Sequence, residues 1–163
     1  MNDSWQELLK SAYIAAQKST NISTQNGALL VDDDKNIILS AVNSFPDGVK
    51  ETKKRQDNKS LRYKYSVHAE RNVIYSAAKL GIKTEGLTMI CPWATCSECA
   101  WAIIQAGIKK LVIHKQALDK SGHWQEDIEF AFDMLREAGV EIILFDGKIG
   151  IGKILRSGKY WEP

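Results

Sequence analysis

The chain has 163 residues, 44% of them hydrophobic and 26% charged, and carries a formal net charge of +2. This suits one globular domain with a full core and excludes a uniformly basic nucleic-acid binder, while leaving room for a local basic patch. No apolar run approaches the ~20 residues that span a bilayer, and the polar start Met1-Asn2-Asp3-Ser4-Trp5-Gln6-Glu7 does not read as a secretory signal.

A first helix is predicted to start after Asp3 or Ser4, either of which can cap it. Trp5, Leu8, Leu9, Ala12, Ile14, Ala15 and Ala16 recur at roughly helical spacing, and the polar stretch 19–26 ends the pattern. Residues 28–31 and 37–42 read as two strands joined by the turn-rich Asp32-Asp33-Asp34-Lys35-Asn36. Residues 43–66 are the longest irregular stretch, dense in charge with Tyr63 and Tyr65 interspersed. They read either as a functional loop or as a solvated loop or short helix. Further on, predicted helices at 67–80, 96–106 and 126–138 each close on a glycine (Gly81, Gly107, Gly139), and predicted strands at 87–91, 111–114 and 141–145 alternate with them. That alternation implies a largely parallel sheet with helices on both faces, made mixed by the antiparallel opening hairpin. The domain is drawn at 1–146. The tail 147–163, with four glycines and several lysines, shows no assignable element.

Two short motifs carry chemistry. His68-Ala69-Glu70 opens one predicted helix and Cys96-Ser97-Glu98-Cys99 opens the next. Zinc favours thiolate sulfur and imidazole nitrogen, and a catalytic site uses three protein ligands with the fourth position open to water. Thiols at a helix start are biased towards the thiolate by the helix dipole. Glu70 is not needed to complete a set of His68, Cys96 and Cys99. A carboxylate beside a zinc-activated water can instead shuttle protons. The cysteine pair alone also fits a structural zinc knuckle or a redox pair. Cys91 is the remaining cysteine available as a fourth ligand, although it ends a predicted buried strand, where a free cysteine packs as a small core residue. An odd cysteine count of three argues against a disulfide framework and for a reducing cytoplasm.

His68-Ala69-Glu70, followed by Pro92-Trp93-Ala94-Thr95-Cys96-Ser97-Glu98-Cys99-Ala100, resembles the cytidine and deoxycytidylate deaminase superfamily, most of all its deoxycytidylate branch. The resemblance runs from about Gly27 to Phe145 and is strongest from His68 to Ile108. It implies an α/β fold, a three-layer α-β-α sandwich around a five-stranded mixed sheet. It also implies one zinc ion per chain on His68, Cys96 and Cys99, with Glu70 as the proton shuttle. Gly27 and Ala28 match a strand backbone that lies against the pyrimidine, Asn43 a sugar contact, and Trp93 a wall of the base pocket. Ala69 and Ala94, beside the ligands, join the implied substrate contacts. The pattern departs from the family at Thr95, where a proline commonly precedes the first cysteine ligand. Residues 44–67 also lack the extra cysteine or histidine that would suggest a second zinc or triphosphate regulation.

A nucleotide substrate needs a cation, because a buried phosphate without a partner is very costly. Lys53, Lys54, Arg55, Arg62 and Lys64 in the charged stretch, with Lys115 and Lys120 after the fourth strand, are the candidates. By the same family resemblance, the segment that follows this strand lines the cleft, which brings in His123 and Trp124. The expected reaction is dCMP to dUMP plus ammonia. Cytidine or deoxycytidine, CMP, dCTP, a polynucleotide base, and an inactive zinc-binding module remain alternatives. Kinship implies a homo-oligomer, dimer to hexamer, for which Tyr75, Trp101 and Ile103 are apolar candidates. They serve equally well as core.

Overall fold

The first helix, α1 (Asn2–Ala16), begins slightly before the predicted cap and packs on β1 (Gly27–Val31). Gly27 is what permits this approach. A Cβ there would sit 2.3 Å from the Ala12 carbonyl oxygen and 2.9 Å from the Ala16 nitrogen, so the helix backbone occupies the space of a side chain. The protein is described by a computed structural model covering residues 2–118 and 124–163. Lys120 and His123, named above as candidate substrate contacts, lie outside the described residues.

After β1 the chain turns through Lys35 into β2 (Ile37–Val42), then forms two short helices, α2 (Lys53–Asp57) and α3 (Lys59–Tyr65). Each is capped by a side chain: Thr52 accepts from the Arg55 N–H and Asn58 from the Leu61 N–H. The charged stretch is therefore helical in part. Beyond it come α4 (Ala69–Leu80), β3 (Thr88–Ile90), α5 (Ser97–Gln105), β4 (Lys110–His114), α6 (Gln125–Glu137) and β5 (Glu141–Phe145). Helix α4 ends on Gly81 in the left-handed region at φ 70°, where Ile82 N–H reaches back to the Ala77 carbonyl.

The sheet is five-stranded and mixed, in the order β2-β1-β3-β4-β5. β1 runs antiparallel to both β2 and β3, while β3, β4 and β5 are parallel. Alternation along the strands splits the core in two. Ala28, Leu30, Met89, Leu111 and Ile113 face α4, α5 and α6. Leu29, Val31, Ile90 and Val112 face α1. This is the expected three-layer α-β-α sandwich.

The tail is structured. It forms a hairpin, β6 (Ile154–Arg156) and β7 (Lys159–Trp161), and buries Ile149 and Ile154 in the α1-side core. Of the apolar residues considered for an interface, Ile103 is core, while Tyr75 and Trp101 are half exposed. Among the described residues no helix is long and apolar enough to cross a membrane.

Candidate metal centre and active site

Two helix starts lie side by side, and each delivers ligands. His68 is the N-cap of α4, fixed just after a two-residue bridge between Ser44 and Val67. Cys96 is the N-cap of α5 and Cys99 lies in its first turn. The Sγ atoms of Cys96 and Cys99 stand 3.4 and 3.5 Å from His68 Nδ1. Zn–S bonds near 2.3 Å and Zn–N bonds near 2.05 Å give tetrahedral S···N edges of about 3.6 Å, so the trio has the dimensions of a zinc site. Hydrogen bonding from Cys99, backed by His68, holds the Cys96 thiol down to about 4 against the effect of burial. Cys99 is pushed up as the partner that keeps the proton. Two cysteine sulfurs and one imidazole nitrogen lie within 4.8 Å of one another, a donor set that fits zinc, whose binding displaces the thiol protons. Among the described residues this is the one cluster able to hold a metal. Cys91 is no part of it.

Glu70 sits in the first turn of α4, only 2% exposed. Burial pushes its carboxyl up, with His68 pulling the other way. Asn26 stands beside it: its Nδ2 is 3.5 Å from Glu70 Oε2 and 3.3 Å from Cys91 Sγ. Asn26 is itself anchored, its N–H donating to Asn43 Oδ1 at 2.8 Å. Asn43 Nδ2 in turn donates to the Thr24 carbonyl at 2.7 Å. Asn43 therefore spends part of its amide on shaping the loop before β1, and keeps one N–H and one lone pair for a ligand.

These groups open on a cavity of about 410 Å³. Of the residues expected at the substrate, Asn43, Trp93, Ala94 and Trp124 line it together with His68, Glu70 and Cys96. Ala28 and Ala69 are instead fully buried in the core, where their small side chains let α4 pack on the sheet. Trp93 Nε1 donates to the Gln25 carbonyl at 2.9 Å, which fixes its ring as a wall. Among the predicted cations that are described, only Arg62 lines the cavity. Lys53 pairs with Asp57, Lys115 pairs with Asp146, and Arg55 donates to the Lys50 carbonyl. A separate groove of about 770 Å³ runs over the outer faces of α4 and α5, with Tyr75 and Trp101 on its walls.

The family model described as the cytidine and deoxycytidylate deaminase zinc-binding region matches residues 2–115. The chain belongs to this deaminase family. A deaminase encoded in the luxG 3′ region of Aliivibrio fischeri is 32% identical over 131 residues, covering 80% of this chain and 86% of that protein. The deoxycytidylate deaminase of Mus musculus is 31% identical over 150 residues, covering 88% of this chain and 81% of that one. Among solved structures, the dCMP deaminase of cyanophage S-TIM5 superposes with a TM-score of 0.67 at 22% identity, over 88% of this chain and 98% of its own.

Several residues of this deaminase's site carry no motif. Asn26 directly precedes Gly27 and is visible only as a polar residue at the start of an apolar strand. Lys59, on α3, and Arg156, on the tail hairpin, both line the cavity. Asp127, in the first turn of α6, clamps the start of α5. Its carboxylate accepts from Ser97 N–H at 3.0 Å and from Ser97 Oγ at 2.6 Å. The available signal was Asp127 at a helix N-terminus, where a carboxylate is expected to serve its own helix rather than a neighbour's.

Proposed function

We propose that this deaminase hydrolyses the exocyclic amino group of dCMP, giving dUMP and ammonia, with one zinc per chain on His68, Cys96 and Cys99. When bound there, zinc supplies the Lewis acidity that makes water nucleophilic at neutral pH. The chain's own residues do the rest. Glu70 takes a proton from the attacking water and passes it to the pyrimidine N3, then carries the proton of the hydroxyl added at C4 to the departing amine, which leaves as ammonia. Asn26 holds the Glu70 carboxylate in place. Trp93 and Trp124 wall the base and Ala94 leaves room beside it, while Asn43 offers its remaining donor and acceptor to the sugar.

The observation that carries this reading is Glu70, buried beside a zinc-sized trio in a cavity whose lining also includes Lys59 and Arg62. Cations in the cavity suit a nucleotide over a nucleoside, and the murine relative is named a deoxycytidylate deaminase. The three cysteines are free, as a cytoplasmic protein requires. The half-exposed Tyr75 and Trp101 support association between copies through the α4–α5 face.

The test is ultraviolet absorbance loss by the zinc-loaded protein on cytosine, cytidine, deoxycytidine and the mono- and triphosphates of both sugars. Fastest turnover is expected with dCMP. Preference for the nucleoside would overturn the substrate assignment, and silence across the panel would overturn deamination of free cytosine compounds.

A further inference from the structure

Residues 147–163 lie beyond the family match, yet their hairpin reaches the active-site cavity. Its two-residue turn, Ser157-Gly158, has φ of 48° and 78°. Two successive left-handed residues are the requirement of the tight turn that matches strand twist. The hairpin is docked on the loop before β1: Gln25 N–H donates to the Leu155 carbonyl at 2.9 Å and Gly158 N–H to the Ser23 carbonyl at 2.8 Å. Ser157 N–H donates to Thr24 Oγ1 at 3.0 Å. Trp161 stacks on His114, with ring centroids 5.7 Å apart.

This docking presents Arg156 to the cavity. Its guanidinium carbon lies 4.8 Å from the Trp93 ring centroid and 5.3 Å from that of Trp161. Nη2 donates to the Ala117 carbonyl at 3.0 Å. Among the described residues no carboxylate pairs with it, in contrast to Lys53 and Lys115. A guanidinium has five N–H donors, so most of this fork is left for a ligand. Arg62, the other arginine of the cavity, is buried and donates to the Gln56 carbonyl.

We infer that Arg156 binds the 5′-phosphate of the substrate and makes the enzyme selective for nucleotides over nucleosides. The inference rests on the deaminase reading above and adds its specificity residue. A planar guanidinium matches two phosphate oxygens at once. Held against Trp93 and Trp161, it is already ordered before substrate arrives, which lowers the entropic cost of binding. Lys59, whose Nζ lies 5.6 Å from the Tyr63 ring centroid, adds a second charge from α3.

The test compares wild type, Arg156→Gln and Arg156→Lys, each zinc-loaded. Calorimetry measures binding of dUMP and deoxyuridine, and kinetics give the ratio of kcat/KM for dCMP to that for deoxycytidine. In Arg156→Gln the loss on dUMP is expected to exceed the loss on deoxyuridine by about 10- to 100-fold, as for a lost charge-assisted hydrogen bond. The kinetic ratio falls in parallel, through KM, and Arg156→Lys lies between. Equal losses on dUMP and deoxyuridine in both variants, or no loss on dUMP, would overturn the inference. A wild-type chain that binds dUMP through Arg156 but makes none from dCMP would refute deamination and leave the phosphate site standing. Equal turnover of dCMP and deoxycytidine by wild type would do the reverse.

Discussion

His114 ends β4 fully buried, with both ring nitrogens in use. Nε2 lies 2.8 Å from the Gly147 carbonyl, which can only accept, so the proton sits there. Nδ1 then accepts from the Tyr13 hydroxyl at 2.7 Å. Burial holds this imidazole below its ordinary pKa, against the Gly147 carbonyl and Asp146, which favour the charged form. The unfolded chain therefore takes the proton first as pH falls through about 6.5. Stability from this site is present above that value and is lost as pH falls through the folded pKa. Thermal melts from about pH 7.5 to about 5.5 should show a falling midpoint. In His114→Asn the midpoint should start lower and fall less. An equal fall in the variant would show that the loss arises elsewhere. At this scale the metal trio and Glu70 are legible in sequence, because each motif spans no more than four residues. Asn26, Lys59 and Arg156 are not, because only tertiary packing brings them to one cavity.

At the scale of elements, the ligand-bearing start of α5 depends on another helix. Asp127 of α6 takes the Ser97 N–H directly after Cys96, so α6 holds the turn that aims both thiols. Asp127→Ala removes an acceptor of N-cap type, worth about 1–2 kcal/mol, and a support of the ligands, worth about 10-fold in metal affinity or more. Thermal denaturation and competition with a zinc chelator should show both losses. Unchanged zinc affinity would reduce Asp127 to a fold contact. The longer helices and strands are legible from their periods and closing glycines. α2 and α3 are not: at 5 and 7 residues they are too short to show a period. Their signal is the pair of caps, Thr52 and Asn58, which sits inside a run of charge.

Among the described residues the sheet carries α1 and the tail hairpin on one face and α4, α5 and α6 on the other, and the site lies where helix starts, loops and hairpin converge. The tail was opaque in sequence because its strands are three residues long. Their partners include Gln25 and Ser23, more than a hundred positions away. The fold supplies the cavity, but the chemistry rests on Glu70. The most direct test is dUMP formation from dCMP by Glu70→Gln, compared with wild type at equal bound zinc. The account predicts a fall of about 10²- to 10⁴-fold with the zinc retained. A variant that turns over dCMP at the wild-type rate would contradict it.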